Sequence, residues 1–273
     1  MRLCLFLLGI ACCLPATGYA QSTEAALKAR LIGQPLYLRG SWGADTLHFD
    51  STGQLVGASD HRSFMLCGVD VKDIHLEKDQ LVIDGKRMGV ELSGTIAKRV
   101  ALKGSEGHPF SRKEEIHIEI LRPSDGDYSS ALTSIFANGL AELTPLLPEY
   151  WQSYAHRAFP PVNGPDSTMQ PTITTLPDGV KQVGGSVKPP VLIGSPTKPN
   201  IDMTRQLSYS PNILIDLIVG KDGFPSHLQL LQPGGLGLDE ESISTVSKYR
   251  FNPATENGLP VAVQIRIEFN LEP

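Results

Sequence analysis

The chain has 273 residues, enough for one large domain or two modest ones. Hydrophobic residues make up 41% of it, which is compatible with folded cores, and 29 acidic against 24 basic side chains give a net charge of −5. That balance supplies no general electrostatic attraction for nucleic acid or for an anionic membrane surface.

The N-terminus reads as a secretory signal peptide over residues 1–20. Arg2 is the short positive region, Leu3 to Leu14 the apolar stretch, and Pro15 its break; Gly18-Tyr19-Ala20 supplies small residues where cleavage needs them. The apolar stretch is well short of the roughly 20 residues that span a bilayer as a helix. Two alternatives are an uncleaved anchor and lipidation at Cys12 or Cys13, although Gly9-Ile10-Ala11-Cys12 lacks a large aliphatic residue three before Cys12. Cleavage removes three of the four cysteines and leaves Cys67 alone, so no intramolecular disulfide is expected in the exported chain. Cys67 lies in the apolar run Phe64-Met65-Leu66-Cys67-Gly68-Val69 and reads as a small buried hydrophobe.

Residues 21–158 are expected to form a β-rich domain with one or two helices. Glu24 to Leu31 predicts a short helix. Short strands are then predicted over Leu36–Arg39, Thr46–Asp50, Ser63–Val71, Asp73–Leu76, Gln80–Asp84, Arg87–Leu92 and Glu114–Leu121, with Asp84-Gly85 as a hairpin turn. Ile116, Ile118 and Ile120 alternate with His117 and Glu119, one dry face and one wet. Such spacing suggests a small antiparallel sandwich or barrel. Leu132, Ile135, Phe136, Leu140 and Leu143 recur at helical spacing, with Asp127 or Ser129 as the cap and Pro145 and Pro148 as the stop. Glu149 to Tyr154 predicts another helical turn whose aromatics pack back on the sheet.

Residues 159–200 carry nine prolines, including Pro160-Pro161 and Pro189-Pro190, and the pair Gly184-Gly185. This composition predicts a linker, stiff at the prolines and flexible at the glycines. Residues 201–273 then read β-β-α-β. Asn212 to Val219 is a strand that turns at Lys221-Asp222-Gly223 into Ser226–Leu231. Pro233 to Gly237 is a loop, and Asp239 is the candidate N-cap of a helix with Ile243 and Val246 inward. The last strand alternates: Val261, Val263, Ile265, Ile267, Phe269 and Leu271 on one face, Ala262, Gln264, Arg266, Glu268 and Asn270 on the other. The expected fold class is α+β: an antiparallel β-rich N-terminal domain, a Pro-rich linker and a C-terminal β-β-α-β domain.

Residues 200–273 resemble the C-terminal domain of the TonB family. The features in order are a strand ending in Asp222-Gly223, a second strand, a glycine loop, the helix start Leu238-Asp239, the segment Tyr249-Arg250-Phe251-Asn252-Pro253-Ala254, the turn Gly258-Leu259-Pro260-Val261 and the alternating final strand. The resemblance implies binding by strand addition, in which an extended segment of a partner joins an exposed sheet edge. The last strand is the candidate edge, and Gln264, Arg266, Glu268 and Asn270 are the candidate partner-binding residues. An ordinary solvated face explains the same four residues. The expected partner is an envelope protein such as an outer-membrane transporter, or a second copy through the last strand. The expected location is periplasmic or envelope-associated, or inner-membrane anchored if the leader is retained. A membrane-anchored energy transducer is the alternative function. The short, cleavable apolar run and the absence of long Pro-Glu and Pro-Lys repeats argue against it.

Little in the chain points to catalysis. Histidines stand at 48, 61, 75, 108, 117, 156 and 227 without a metal-binding spacing, and no Cys-x-x-Cys or Gly-x-Ser-x-Gly motif occurs. Gly234-Gly235-Leu236-Gly237 is not followed by the Lys-Ser/Thr of a phosphate loop, and Asp239, Glu240 and Glu241 stand where an anion would bind. The Asp70–Asp73 and Asp125–Asp127 pairs lie at strand ends and turns, where Asp is common. No cofactor and no metal are expected. An enzyme with an unrecognised N-domain site is the third reading.

Overall fold

The computed structural model of the chain describes residues 22–60, 63–93, 96–102, 114–159, 176–195, 212–235 and 237–271. The signal-peptide expectation falls on residues outside this set.

Helix α1 (Glu24–Leu31) starts at Thr23, whose hydroxyl accepts from the Ala26 amide at 3.2 Å. Strands β1 (Leu36–Leu38), β2 (Thr46–Phe49), β3 (Gly68–Leu76), β4 (Gln80–Ser93), β5 (Ile96–Ala101) and β6 (Glu115–Leu121) follow, then α2 (Ser129–Ile135) and β7 (Phe136–Ala137). They form one seven-stranded sheet ordered β2-β6-β4-β3-β1-β7, with β5 paired to β4. Every pairing is antiparallel except β2 with β6. The expected sandwich or barrel is thus a single mixed sheet. Its dry face, including Ile116, Ile118 and Ile120, packs against Leu27 and Leu31 of α1 and Ala131, Leu132 and Ile135 of α2.

Three local expectations are corrected. The hairpin at Asp84-Gly85 does not form, because β4 runs straight through it. Gly85 serves a close approach instead: a Cβ there would sit 2.9 Å from the Asp70 carbonyl oxygen of β3. Phe64–Leu66 is a 3-10 turn rather than the start of a strand, opened by the Ser63 hydroxyl accepting from the Met65 amide. The helix after Asp127 stops at Ile135, since Phe136 and Ala137 pair with Leu38 and Tyr37 of β1. A tertiary ladder overrides helical spacing there.

Helix α3 (Glu149–Ala158) carries a second core. Trp151 is fully buried, meeting Phe64 edge-on at 5.4 Å between ring centroids and Tyr154 at 6.0 Å. The same cluster takes in Tyr37 and Val90 from the first sheet, Cys67 just before β3, and Leu230, Val246 and Phe269 from the C-terminal unit. Burial pushes the Cys67 thiol up to about 12, so it is an inert core group.

Part of the segment expected as linker is built into the C-terminal unit. It supplies β8 (Val180–Gln182), β9 (Val187–Lys188) and β10 (Val191–Leu192). Strands β11 (Asn212–Val219) and β12 (Pro225–Gln232), helix α4 (Leu238–Ser247), and strands β13 (Phe251–Asn252), β14 (Ala254–Glu256) and β15 (Leu259–Asn270) complete it. The main sheet is ordered β12-β11-β15-β14-β9, with β8 paired to β15; β10 pairs with β13. Gly223 has φ of 79°, and a Cβ there would collide with the Phe251 carbonyl oxygen, so the Asp222-Gly223 turn requires glycine twice over. Asn257 and Gly258, with φ of 50° and 81°, make the tight β14–β15 hairpin.

Candidate partner-binding edge

Period-two alternation gives β15 one dry face. Val263 and Phe269 are buried, and Ile265 and Ile267 pack against the same core. On one side β15 pairs with β11 in eight consecutive antiparallel steps, from Asn212↔Asn270 to Val219↔Val263, without a register shift. Its remaining partners are β14 at Leu259–Val261 and β8 at Ala262–Gln264. Among the described residues, no strand pairs with the second side of Ile265–Asn270. That open stretch is about 20 Å long at strand rise.

The other edge of the sheet differs. Strand β12 pairs with β11 through two register irregularities, and His227 within it has φ of 50°. It is also covered by α3, where the Ser153 hydroxyl donates to Gln229 Oε1 at 2.9 Å and the Arg157 guanidinium reaches the Leu231 carbonyl at 3.5 Å. A bulged, covered edge is poor at accepting a strand; a regular, open one is good at it.

Three of the four candidate side chains are engaged within the sheet. Arg266 reaches across to β11 and grips the Asp216 carboxylate with two nitrogens, at 2.7 and 3.1 Å. Gln264 donates to the same carboxylate at 3.3 Å. Glu268 accepts from the Asn212 side-chain amide at 2.8 Å. Asn270 is exposed at the strand end. The polar face of β15 is therefore a cross-strand network with β11, and selection by these side chains would act on a rigid surface. Sequence reading found the strand and its polar residues. It missed Asp216 and Asn212 as their partners, because cross-strand register is not written in either strand alone.

Helix α4 opens at Gly237, with φ of 95°, rather than at the expected Asp239. Asp239 lies inside the first turn, fully buried, where its carboxylate accepts from the Gly234 and Gly235 amides at 2.7 and 2.9 Å. The Gly-rich loop is thus held by a carboxylate, which leaves no room for an anion. Burial, reinforced by neighbouring Glu240, pushes the Asp239 pKa well above the usual carboxylate range, against the lowering pull of the two amides.

On the first sheet, His117 shares a face with acidic neighbours, as its strand position suggests. Its Nδ1 lies 2.7 Å from Asp84 and its Nε2 3.2 Å from Glu119, whose other oxygen is 2.8 Å from His48. The Asp84 bond, and then Glu119, raise the His117 pKa despite partial burial. A raised histidine pKa stabilises the fold below about pH 6.5 and loses that contribution as pH rises through the folded value. His117→Gln is expected to cost under about 1 kcal/mol near pH 5.5, discounted for the solvent exposure of all partners, and close to nothing at pH 9. Urea melts at the two pH values check this, and an equal cost at both contradicts the assignment. Among the described residues, no group of three or more His, Cys, Asp or Glu side chains is arranged to hold a metal.

The family model for the Gram-negative bacterial TonB protein C-terminal matches residues 203–271. No curated protein matches the chain. Among solved structures, the solution NMR structure of the Pseudomonas aeruginosa TonB C-terminal domain is 21% identical and is covered over 92% of its length by 33% of this chain, with a TM-score of 0.24. Residues 203–271 are therefore a TonB-like C-terminal domain, set in an α+β chain with a β-rich N-terminal region.

Proposed function

We propose that the chain is an exported, non-catalytic envelope protein whose TonB-like domain binds an extended segment of a partner by strand addition along Ile265–Asn270. The observation that carries this reading is the contrast between the two edges of the C-terminal sheet: β12 is bulged and lies under α3, whereas the second side of Ile265–Asn270 has no strand partner among the described residues. Unpaired backbone groups on a regular edge provide affinity for many sequences, and the Arg266–Asp216 and Glu268–Asn212 surface beside them provides selection. An outer-membrane transporter is the favoured partner, in keeping with the family.

A photo-crosslinking residue at position 268 or 270 of the chain in envelope membranes tests the edge. Adducts with an envelope protein are expected from both positions and none from position 98 on β5. Absence of adducts from the β15 positions, or equal labelling from position 98, contradicts strand addition. Adducts with a second copy instead identify self-association. Export is tested by N-terminal sequencing of the mature chain: a start near Gln21 supports it, and an intact Met1 in the inner membrane restores the anchored transducer. Among the described residues, no helix is long and apolar enough to cross a membrane.

A further inference from the structure

We infer that Val180–Gln182 is an internal ligand of the strand-addition edge of β15, which an extended partner must displace to use the full edge. The inference rests on the strand-addition reading above. Strand β8 runs parallel to β15 in the register Val180↔Ala262, Lys181↔Val263 and Gln182↔Gln264. Val263 and Gln264 also pair with β11, so β8 occupies the opposite side of β15, the side that is open from Ile265 onward. A partner strand longer than the open stretch therefore collides with β8.

The attachment has the character of a removable strand. Its ladder is three residues long, against eight for β11. None of its side chains is buried: Val180 and Lys181 are half-buried and Gln182 is exposed. Parallel pairing to a strand far along the chain has no tight turn to enforce it. What pins β8 is polar and peripheral. Lys181 forms an ion pair with Glu256 of β14, and the Ser186 hydroxyl donates to the same carboxylate at 3.2 Å. Those bonds, Lys181 first, hold the Glu256 carboxyl below its ordinary pKa. Immediately past β8 the chain turns away at Gly184 and Gly185, with φ of 136° and 59°, and returns to pair β9 with β14. Those glycines take the chain off the line of β15 where the open stretch begins. An occupied edge lowers apparent affinity by the fraction of time it is occupied, so a weakly held strand sets a threshold without abolishing binding.

The test uses the whole chain and a fluorescein-labelled synthetic peptide of residues 178–188 as the probe. In the V180G/K181G/Q182G variant, amide exchange is expected to speed up at least tenfold at those of Ala262, Val263 and Gln264 whose N–H points away from β11, and the peptide to bind at least tenfold more tightly than to the unmodified chain. Lys181→Glu is expected to fall between the two, and Lys181→Glu combined with Glu256→Lys to return to the unmodified values. Unchanged exchange in the triple-glycine chain overturns the inference. Equal peptide binding by the triple-glycine and unmodified chains also overturns it while leaving the edge as a binding site. Peptide binding by neither chain overturns the inference and the strand-addition reading together.

Discussion

Trp151→Ala is expected to destabilise the chain by about 3–5 kcal/mol, as large aromatic deletions from tight cores do. The indole is fully buried and edge-on to both Phe64 and Tyr154, so its removal opens a cavity that a helix held between two sheets cannot close. The position is sensitive because α3 belongs to a cluster that joins Tyr37 and Val90 of one sheet to Leu230 of the other and Val246 of α4. Trp151→Phe separates volume from hydrogen bonding. The indole Nε1–H is buried with no hydrogen-bond partner among the described residues, so exchanging it for a phenyl edge removes an unsatisfied donor while keeping most of the contacts. A cost of about 1 kcal/mol is expected for Phe. Urea unfolding followed by circular dichroism measures both; equal losses for Ala and Phe contradict a packing role. In the Ala variant, Gln229 and Leu231 also become less protected, because α3 covers β12 through Ser153 and Arg157. An aggregation-prone edge is then exposed, and the variant is expected to lose solubility as well as stability.

The same cluster explains what could be read from the residues alone. β15 was legible from Val261 onward because the alternation there admits one account, whereas its first two residues, Leu259 and Pro260, read as part of the preceding turn. The Asp222-Gly223 turn and β11 were legible for similar reasons: turn chemistry and periodicity agree locally. β8, β9 and β10 were not. Each is two or three residues long, too short for periodicity, and each exists through pairing with β15, β14 or β13 far along the chain. Proline and glycine content then dominated the reading of 159–200. Gly85 misled in the opposite way. Asp-Gly is a strong turn signal, but the backbone of β3 needed a residue without Cβ in mid-strand, and that demand is tertiary. The candidate edge shows the same limit. Gln264, Arg266 and Glu268 were recognisable as a polar face, yet their commitment to Asp216 and Asn212 follows from register with β11.

Asp239 offers the sharpest electrostatic test, since its two roles pull in opposite directions. Its carboxylate accepts from the Gly234 and Gly235 amides, which are buried with it, and removal breaks both hydrogen bonds. Asp239→Ala is therefore expected to cost about 2–4 kcal/mol, at about 1.5–3 kcal/mol for each charge-assisted hydrogen bond lost, less the relief of burying no charge. The charge itself works against the fold. Burial is the main cause of the raised pKa, Glu240 adds to it, and α3 brings the half-buried Tyr150 and buried Tyr154 phenols nearby, both pushed up to about 12 and so neutral. A carboxyl whose folded pKa exceeds its unfolded value binds its proton more tightly when folded. Its contribution is therefore fully present below about pH 4 and is lost as pH rises towards the raised folded value. Stability is expected to fall over that interval by this term. Asp239→Asn, which keeps an oxygen acceptor but cannot ionise, should flatten it. Carboxyl carbon NMR of Asp239 measures the pKa directly, and urea melts of both variants across the interval measure the slope. An ordinary carboxylate pKa, or the same slope in Asp239→Asn, contradicts the assignment. If the slope vanishes while Asp239→Ala remains costly, the carboxylate is retained for the loop it ties to α4, which packs on β11 and β12 of the sheet that carries the open edge of β15.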